Sequence, residues 1–164
     1  MDIFNAYGTI VHAAKLADAT IISDTGNLEQ IENSAKKQGF KNYLYHDSKS
    51  AIDAAIGLEL KGKRALIAGT IDNIRKLSLM QMPVIIITSK ETIVNHAINL
   101  IPSSAQELFD DIILGYKLAE NAKVLIPIVI HIDFLLKNTR EIVQSPSKKM
   151  IENFLGNCPI NEKH

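Results

Sequence analysis

Hydroxyl and ammonium side chains at two points of this sequence could hold a carboxylate. Thr25 precedes a helix predicted over Leu28 to Gln38, and a hydroxyl beside the N–H groups of a helix N-terminus helps to bind an anion. Lys90 follows the β-favouring run Pro83 to Thr88, and its ammonium group attracts a carboxylate without the bidentate fork of arginine. Each also has a structural alternative. Thr25, or Asn27, can simply cap the helix, and Lys90 can be a solvated loop charge.

Three further polar residues follow predicted strands. Asp47 and Ser48 stand between the β-like run Asn42 to Tyr45 and a helical pattern that Gly62 stops, and either residue can cap that helix. Asp133 follows a strand end, where α/β sheets often place ligand groups, and equally suits the cap of a helix that begins at Phe134. Both interpretations stay open from the sequence.

Other reactive residue types lack the spacing that catalysis or metal binding needs. The five histidines form no pair at i,i+4, so zinc has little support. The chain has no Walker loop, no Rossmann fingerprint and no nucleophile elbow. Cys158 is the single cysteine and lacks an activating neighbourhood. We therefore assign no catalytic residue and predict no metal site.

Elements that alternate between strand and helix must position these residues. Apolar periodicity and turn residues define the boundaries. Strands are predicted over 20–22, 42–45, 64–68, 83–88, 95–100 and 125–130, and helices over 4–17, 28–38, 48–60, 71–80, 105–121 and 146–155, the last with Pro146 as its first residue. Alternation with short polar turns predicts a parallel α/β sheet.

The segment from Ile101 to Val143 carries the clearest pattern. Ser103 or Ser104 can cap a helix there, and Glu107 stands where a capping-box carboxylate reaches back. An almost continuous apolar run, Leu125 to Ile130, follows that helix and is typical of a strand covered on both faces.

The amino-acid sequence of this segment also resembles that of a known family. Pro102-Ser-Ser-Ala-Gln-Glu107, Leu118-Ala-Glu120, Ile126-Pro-Ile-Val129 and Thr139-Arg-Glu-Ile-Val143 resemble the end of the first domain of 2-oxoacid:ferredoxin oxidoreductases, the alpha-subunit domain of pyruvate:ferredoxin oxidoreductase type enzymes. The resemblance implies a thiamine-diphosphate-binding fold of the pyrimidine type, which is a three-layer α/β/α domain with a mostly parallel sheet. It covers about Asp18 to Val143.

The resemblance also implies positions for a site, and the sequence departs from the family at most of them. Thr25 takes the place of a threonine that contacts the oxoacid. Ser48 stands where a glutamate normally bonds the aminopyrimidine ring, with Asp47 one residue earlier, and Thr70 falls in a stretch that has lost Gly-Pro-Gly. Lys90 replaces an arginine, and the substrate loop after it is largely absent. We therefore expect Asp47, Ser48 and Thr70 on the cofactor side, and Thr25 and Lys90 on the substrate side, with helix caps as the alternative.

Length and composition limit the number of domains, the partners and the cellular location that we expect. The 164 residues suit a single domain over 1–155 with a flexible C-terminal tail over 156–164. A formal net charge of zero without a basic stripe argues against nucleic acid, and no apolar run is long enough to span a membrane. The lone cysteine and the absence of a basic signal-peptide region at the start predict a cytoplasmic protein.

Two functions therefore lead. The first is a reduced pyrimidine-domain subunit or paralogue of a 2-oxoacid:ferredoxin oxidoreductase, which is catalytically incomplete alone. It would form a homodimer or a heteromer with a diphosphate-binding subunit, and ferredoxin would be an indirect partner. Thiamine diphosphate with Mg2+ would bind only at the interface with a partner chain. The second is a scaffold or small-molecule-binding module that keeps the fold and forms homo-oligomers. An independent thiamine-class decarboxylase ranks third, because the glutamate is missing.

Overall fold

Six parallel strands form the central sheet of this computed structural model, which describes residues 2–24, 28–69, 72, 74–89 and 92–158. In chain order the strands are β1 (Asp2–Phe4), β2 (Ala19–Ser23), β3 (Asn42–Leu44), β4 (Arg64–Ala68), β5 (Ile85–Thr88), β6 (Ile98–Leu100), β7 (Ile128–His131) and β8 (Glu141–Val143). The sheet has the order β3-β2-β4-β5-β7-β6, and all its strands run parallel. The predicted α/β class with a mostly parallel sheet is confirmed.

Helices cover both faces of the sheet. They are α1 (Ala6–Leu16), α2 (Leu28–Lys37), α3 (Ser48–Glu59), α4 (Ile74–Leu79), α5 (Ala105–Ala119), α6 (Phe134–Asn138) and α7 (Lys148–Leu155). One core holds residues from α1, α2, α5 and α7, and a second core holds residues from α3 and α4. Strand side chains alternate between the two, since Leu66 and Ile85 enter the first while Ile67 and Ile86 enter the second. This alternation makes the three layers.

A buried ionic cluster ties the sheet together at the amino ends of its strands. Arg64, the first residue of β4, pairs with Glu120 just after α5, through its Nε and through an Nη2–Oε2 bond of 2.9 Å. The same guanidinium donates to the carbonyl oxygens of Ala17 (3.3 Å) and Gly156 (2.8 Å). Three distant parts of the chain therefore meet on the Arg64 side chain.

Glu59, at the end of α3, extends this cluster. Its Oε1 accepts the N–H of Ala65 at 2.8 Å, and its Oε2 lies 3.5 Å from the Cys158 thiol. Burial raises the pKa of Glu59 to about 8, against the opposing effect of the Ala65 hydrogen bond. The carboxyl group therefore keeps its proton at neutral pH, which removes the cost of burying another charge.

Two predicted element starts in the C-terminal half need correction, and one strand pair was not predicted. The last helix begins at Lys148 and not at Pro146, because the Ser147 hydroxyl and carbonyl both accept the Met150 N–H. The strand predicted from Leu125 begins at Ile128, since Leu125 adopts a left-handed φ of 44°. Strands β1 and β8, which pair antiparallel, were not expected as a pair, because pairing between the two ends of a chain leaves no local signal.

The predicted tail makes defined contacts at its first residues. Gly156 binds Arg64 and Cys158 is buried, whereas residues 159–164 lie outside the described residues. The division into a domain over 1–155 and a flexible tail stays a prediction.

Candidate functional site

The strand order reverses at one point of the sheet, and the carboxyl ends of the strands there form the candidate site. The chain passes from β2 to β3 in one direction and from β4 to β5 in the other, so the switch point lies between β2 and β4. Open α/β sheets bind ligands at such points. Asp24 follows β2 and Gly69 follows β4, so these two residues lie at the switch point.

The carboxylate of Asp24 lies directly over the backbone of Gly69. Asp24 is 2% exposed, and a Cβ atom added to Gly69 would lie 2.1 Å from Asp24 Oδ1. Backbone bonds hold both residues, from Asp24 N–H to the Ala68 carbonyl (3.3 Å) and from Gly69 N–H to the Ile87 carbonyl (2.9 Å). Only glycine leaves room for this carboxylate. Sequence reasoning assigned Asp24 no role, although an aspartate directly after an apolar strand was a usable signal.

Asp47 and Ser48 lie at the same edge, after β3, and form the start of α3. Asp47 is the N-cap: its Oδ1 accepts the Ser50 N–H at 2.8 Å, and its Oδ2 accepts the Ser50 hydroxyl at 2.8 Å. These two bonds, the backbone bond first, hold the pKa of Asp47 below its ordinary value. Ser48 is the first residue of the helix. The capping alternative is therefore realised for Asp47, with both carboxylate oxygens engaged inside the turn.

A second cluster of polar side chains lies on β5, β6 and β7 near the same edge. Thr88 and His131 are paired in register on β5 and β7, and His131 Nε2 lies 2.8 Å from Asn99 Oδ1 on β6. The Asn99 amide donates to the carbonyls of Val94 (2.8 Å) and Ala97 (3.2 Å), which fixes its oxygen towards the histidine. His131 Nε2 is therefore the donor in this pair. The arrangement holds the segment that leads into β6.

Asp133 caps α6, because its Oδ1 accepts the Leu136 N–H at 2.7 Å. The other predicted site residues, Thr25, Thr70 and Lys90, lie outside the described residues, so their roles stay predictions. The structure thus places only Asp47 and Ser48 of the predicted set, side by side at one helix start.

Within the described ranges, His, Cys, Asp and Glu side chains form no group of three that could hold a metal ion. No helix in that part of the chain combines the length and apolar character needed to cross a membrane.

Sequence comparison finds relatives among pyruvate synthase subunits, although no family model matches the chain. Subunit PorA of pyruvate synthase from Methanocaldococcus jannaschii is 28% identical over 177 aligned positions, which take in 88% of this chain and 46% of the relative. PorA of Pyrococcus horikoshii is 42% identical over 52 residues, or 31% of this chain and 13% of the relative. The chain therefore spans less than half the length of these relatives.

Structural comparison finds the same fold in a solved oxidoreductase. A 2-oxoglutarate:ferredoxin oxidoreductase from Magnetococcus marinus, solved with 2-oxoglutarate, coenzyme A and succinyl-CoA bound, superposes with a TM-score of 0.71 and 14% identity. The match covers 91% of this chain and 32% of that one, and it shows a shared fold. The similarity to PorA bears out the predicted resemblance to alpha-type subunits of 2-oxoacid:ferredoxin oxidoreductases, and the structural match shows the shared fold.

Proposed function

We propose that this chain acts as a pyrimidine-domain-like subunit or paralogue of a 2-oxoacid:ferredoxin oxidoreductase and is catalytically incomplete alone. The similarity to PorA supports the class of protein. The observation that carries the proposed incompleteness is the geometry of Asp47, whose two carboxylate oxygens both accept bonds from Ser50.

The family resemblance places a glutamate beside the aminopyrimidine ring at this point. Ser48 has no carboxylate, and the carboxylate of Asp47 accepts hydrogen bonds within the first turn of α3. A carboxyl group that shares a proton with a ring nitrogen works best with a pKa near the working pH, whereas the Ser50 bonds lower the pKa of Asp47. These two residues therefore do not fit the ring in the way that a glutamate would, and we derive no catalytic step from them.

A partner chain would complete the site. In this proposal thiamine diphosphate and Mg2+ bind only where a diphosphate-binding subunit meets the carboxyl edge of this chain. Ile101 directly follows β6 at that edge, and its exposed apolar side chain is suited to contact with another protein. The cofactor would supply the chemistry that stabilises a carbanion next to the oxoacid carbonyl.

Calorimetry tests this proposal. The purified chain is titrated with thiamine diphosphate and Mg2+, first alone and then together with any diphosphate-binding subunit that co-purifies with it. We expect binding, and 2-oxoacid-dependent reduction of ferredoxin, only with the partner present. Binding to the chain alone would contradict the proposed incompleteness. Absence of binding in both states would overturn the subunit proposal and leave the scaffold function.

Asp47→Asn is the matched variant, because asparagine also caps a helix. If Asp47 acts only as a cap, the variant leaves cofactor affinity in the complex unchanged. A loss of affinity in Asp47→Asn would instead assign the carboxylate to the cofactor.

A further inference from the structure

A shallow apolar groove runs between α5 and α7 on the outer side of one helix layer. It has a volume of about 370 Å3, and its walls include Phe109, Ile113, Leu114, Met150, Ile151 and Phe154. Leu114 is 55% exposed, Met150 61% and Phe154 46%. Three large apolar side chains exposed side by side mark a contact surface.

Charge on α5 is divided along the helix, with Leu114 near the middle. Glu107, Asp110 and Asp111 occupy the first half of its exposed face, and Lys117 occupies the second half. Asp110 lines the groove, and Lys117 Nζ lies 5.4 Å from the centre of the Phe154 ring. An acid and a base therefore stand on the α7 side of α5, on either side of Leu114.

This division is self-complementary under a two-fold axis. If two copies of α5 meet antiparallel about Leu114, residues that precede Leu114 in one copy face residues that follow it in the other. Asp110 lies four positions before Leu114 and Lys117 three positions after it, so the two meet with an offset of about 1.5 Å, the rise of one helical residue. Both side chains stay on the same side of their helix under this rotation, which brings them together twice.

We propose that α5 and α7 form the docking surface for a second copy of this chain, with Leu114 at the centre and Asp110 of each copy paired with Lys117 of the other. The apolar groove supplies buried area, and the charge division selects the antiparallel orientation. A parallel arrangement would instead oppose acid to acid and base to base.

Two properties of the chain favour this occupant. The acidic half of α5 repels itself: burial, followed by the charges of Glu107 and Asp110, raises the pKa of Asp111 to about 6. A lysine from a second copy would relieve that repulsion. The groove is also lined only by residues of α5, α7 and the turn before α7, and not by Asp24 or Gly69, so self-docking leaves the switch point open to a different chain.

Sedimentation and light scattering of the purified chain test the proposal. We expect a dimer in the micromolar range and a monomer for Leu114→Glu. Leu79→Glu is the control, because Leu79 is 74% exposed but lies on α4, in the opposite helix layer, and this variant should still dimerise.

Charge exchange gives a test that does not depend on the apolar contacts. Asp110→Lys and Lys117→Asp each create like-charge pairs, and each should weaken the dimer by roughly tenfold or more. An equimolar mixture of the two variants restores both opposite-charge pairs in a heterodimer, as does the double variant with itself. Recovery in both cases is the specific signature of this geometry.

Three outcomes would overturn the proposal. A monomeric wild-type chain would mean that the groove meets a different molecule. A dimer that survives Leu114→Glu would place the interface elsewhere. Failure of the mixture to recover affinity, with both variants shown to be folded by circular dichroism, would exclude the antiparallel pairing.

Discussion

The two ends of strand β4 use polar side chains in opposite ways. At its start, Arg64 is buried and linked to Glu120, Ala17 and Gly156. At its end, Gly69 has no side chain, and the Asp24 carboxylate fills the space above it. One end concentrates charge pairing in a closed cluster, whereas the other packs a buried carboxylate against a glycine backbone at the switch point.

The start of β4 therefore contributes mainly to stability, whereas its end belongs to the candidate functional site. A buried ion pair is costly to break because each charge has lost its water, so residues in such a cluster tolerate little change. The carboxyl edge depends on a close approach to glycine and on helix caps, which contribute less energy each. Substitutions at the two ends should therefore differ in magnitude and in kind.

The largest effect is expected from Glu120→Ala. Removing the carboxylate leaves the Arg64 guanidinium buried without its partner, which costs about 3–5 kcal/mol of unfolding free energy. Urea denaturation measures the loss. Lys76→Ala is the control, since Lys76 pairs with Asp53 at the surface and its removal should cost about 1 kcal/mol or less. Equal losses in the two variants would show that the buried pair contributes no more to stability than the surface pair.

Stability should fall as pH rises at the amino end of β4, through Glu59. The pKa of Glu59 is about 8 in the folded chain against an ordinary value of 4.5. Between these values the unfolded chain releases the proton while the folded chain keeps it, so the stability present below pH 4.5 is progressively lost up to pH 8.

Unfolding free energies at pH 5 and pH 8 measure this loss against Glu59→Gln, which keeps an oxygen for the Ala65 N–H. The wild type should lose on the order of 4 kcal/mol more than the variant across this interval, from about 1.4 kcal/mol per pH unit. Parallel pH profiles would show that Glu59 does not titrate with a raised pKa.

A smaller effect is expected from Gly69→Ala at the other end. The new methyl group would overlap the Asp24 carboxylate, at a cost of about 1–3 kcal/mol. Gly57→Ala is the matched control, because a Cβ at Gly57 meets nothing within 4 Å inside α3, and it should stabilise the chain by up to about 1 kcal/mol. If the overlap is the cause, the cost of Gly69→Ala shrinks when Asp24→Ala is already present.

The smallest effect is expected from Asp47→Ala, which removes the cap of α3 and should cost about 1 kcal/mol. Asp47→Asn should cost less, since its amide oxygen can still accept the Ser50 N–H. Chemical denaturation of both variants checks the order. Similar losses for alanine and asparagine would show that the carboxylate charge matters more than the cap.

Much of the fold was predictable because its signals are local. The Ser104 hydroxyl accepts the Glu107 N–H, and the Glu107 carboxylate reaches back to the Ser103 N–H, as the spacing predicts for a helix start. Gly39 and Gly62 adopt left-handed φ angles of 62° and 69° after their helices, as stop signals of this type require. These features depend on residues within one turn of each other.

The candidate site was less predictable, because its residues come together only when strands pair. The sequence indicates Asp47, but the geometry of one turn decides whether its carboxylate faces the switch point or caps its helix. Asp24 was passed over, because its importance arises from a glycine on a neighbouring strand. The same holds for Asn99, whose bond to His131 joins β6 to β7.

By itself, the sequence determined the kinds and order of the elements and the likeness to alpha-type oxidoreductase subunits. Apolar periodicity, helix caps and short motifs each depend on residues that are neighbours in the sequence. Only the tertiary structure decided which strands are adjacent, and hence that Arg64 meets Glu120, 56 positions away, while Asp24 lies over Gly69. The physical reason is that strand order minimises exposed apolar surface over the whole chain, and no short segment carries that information.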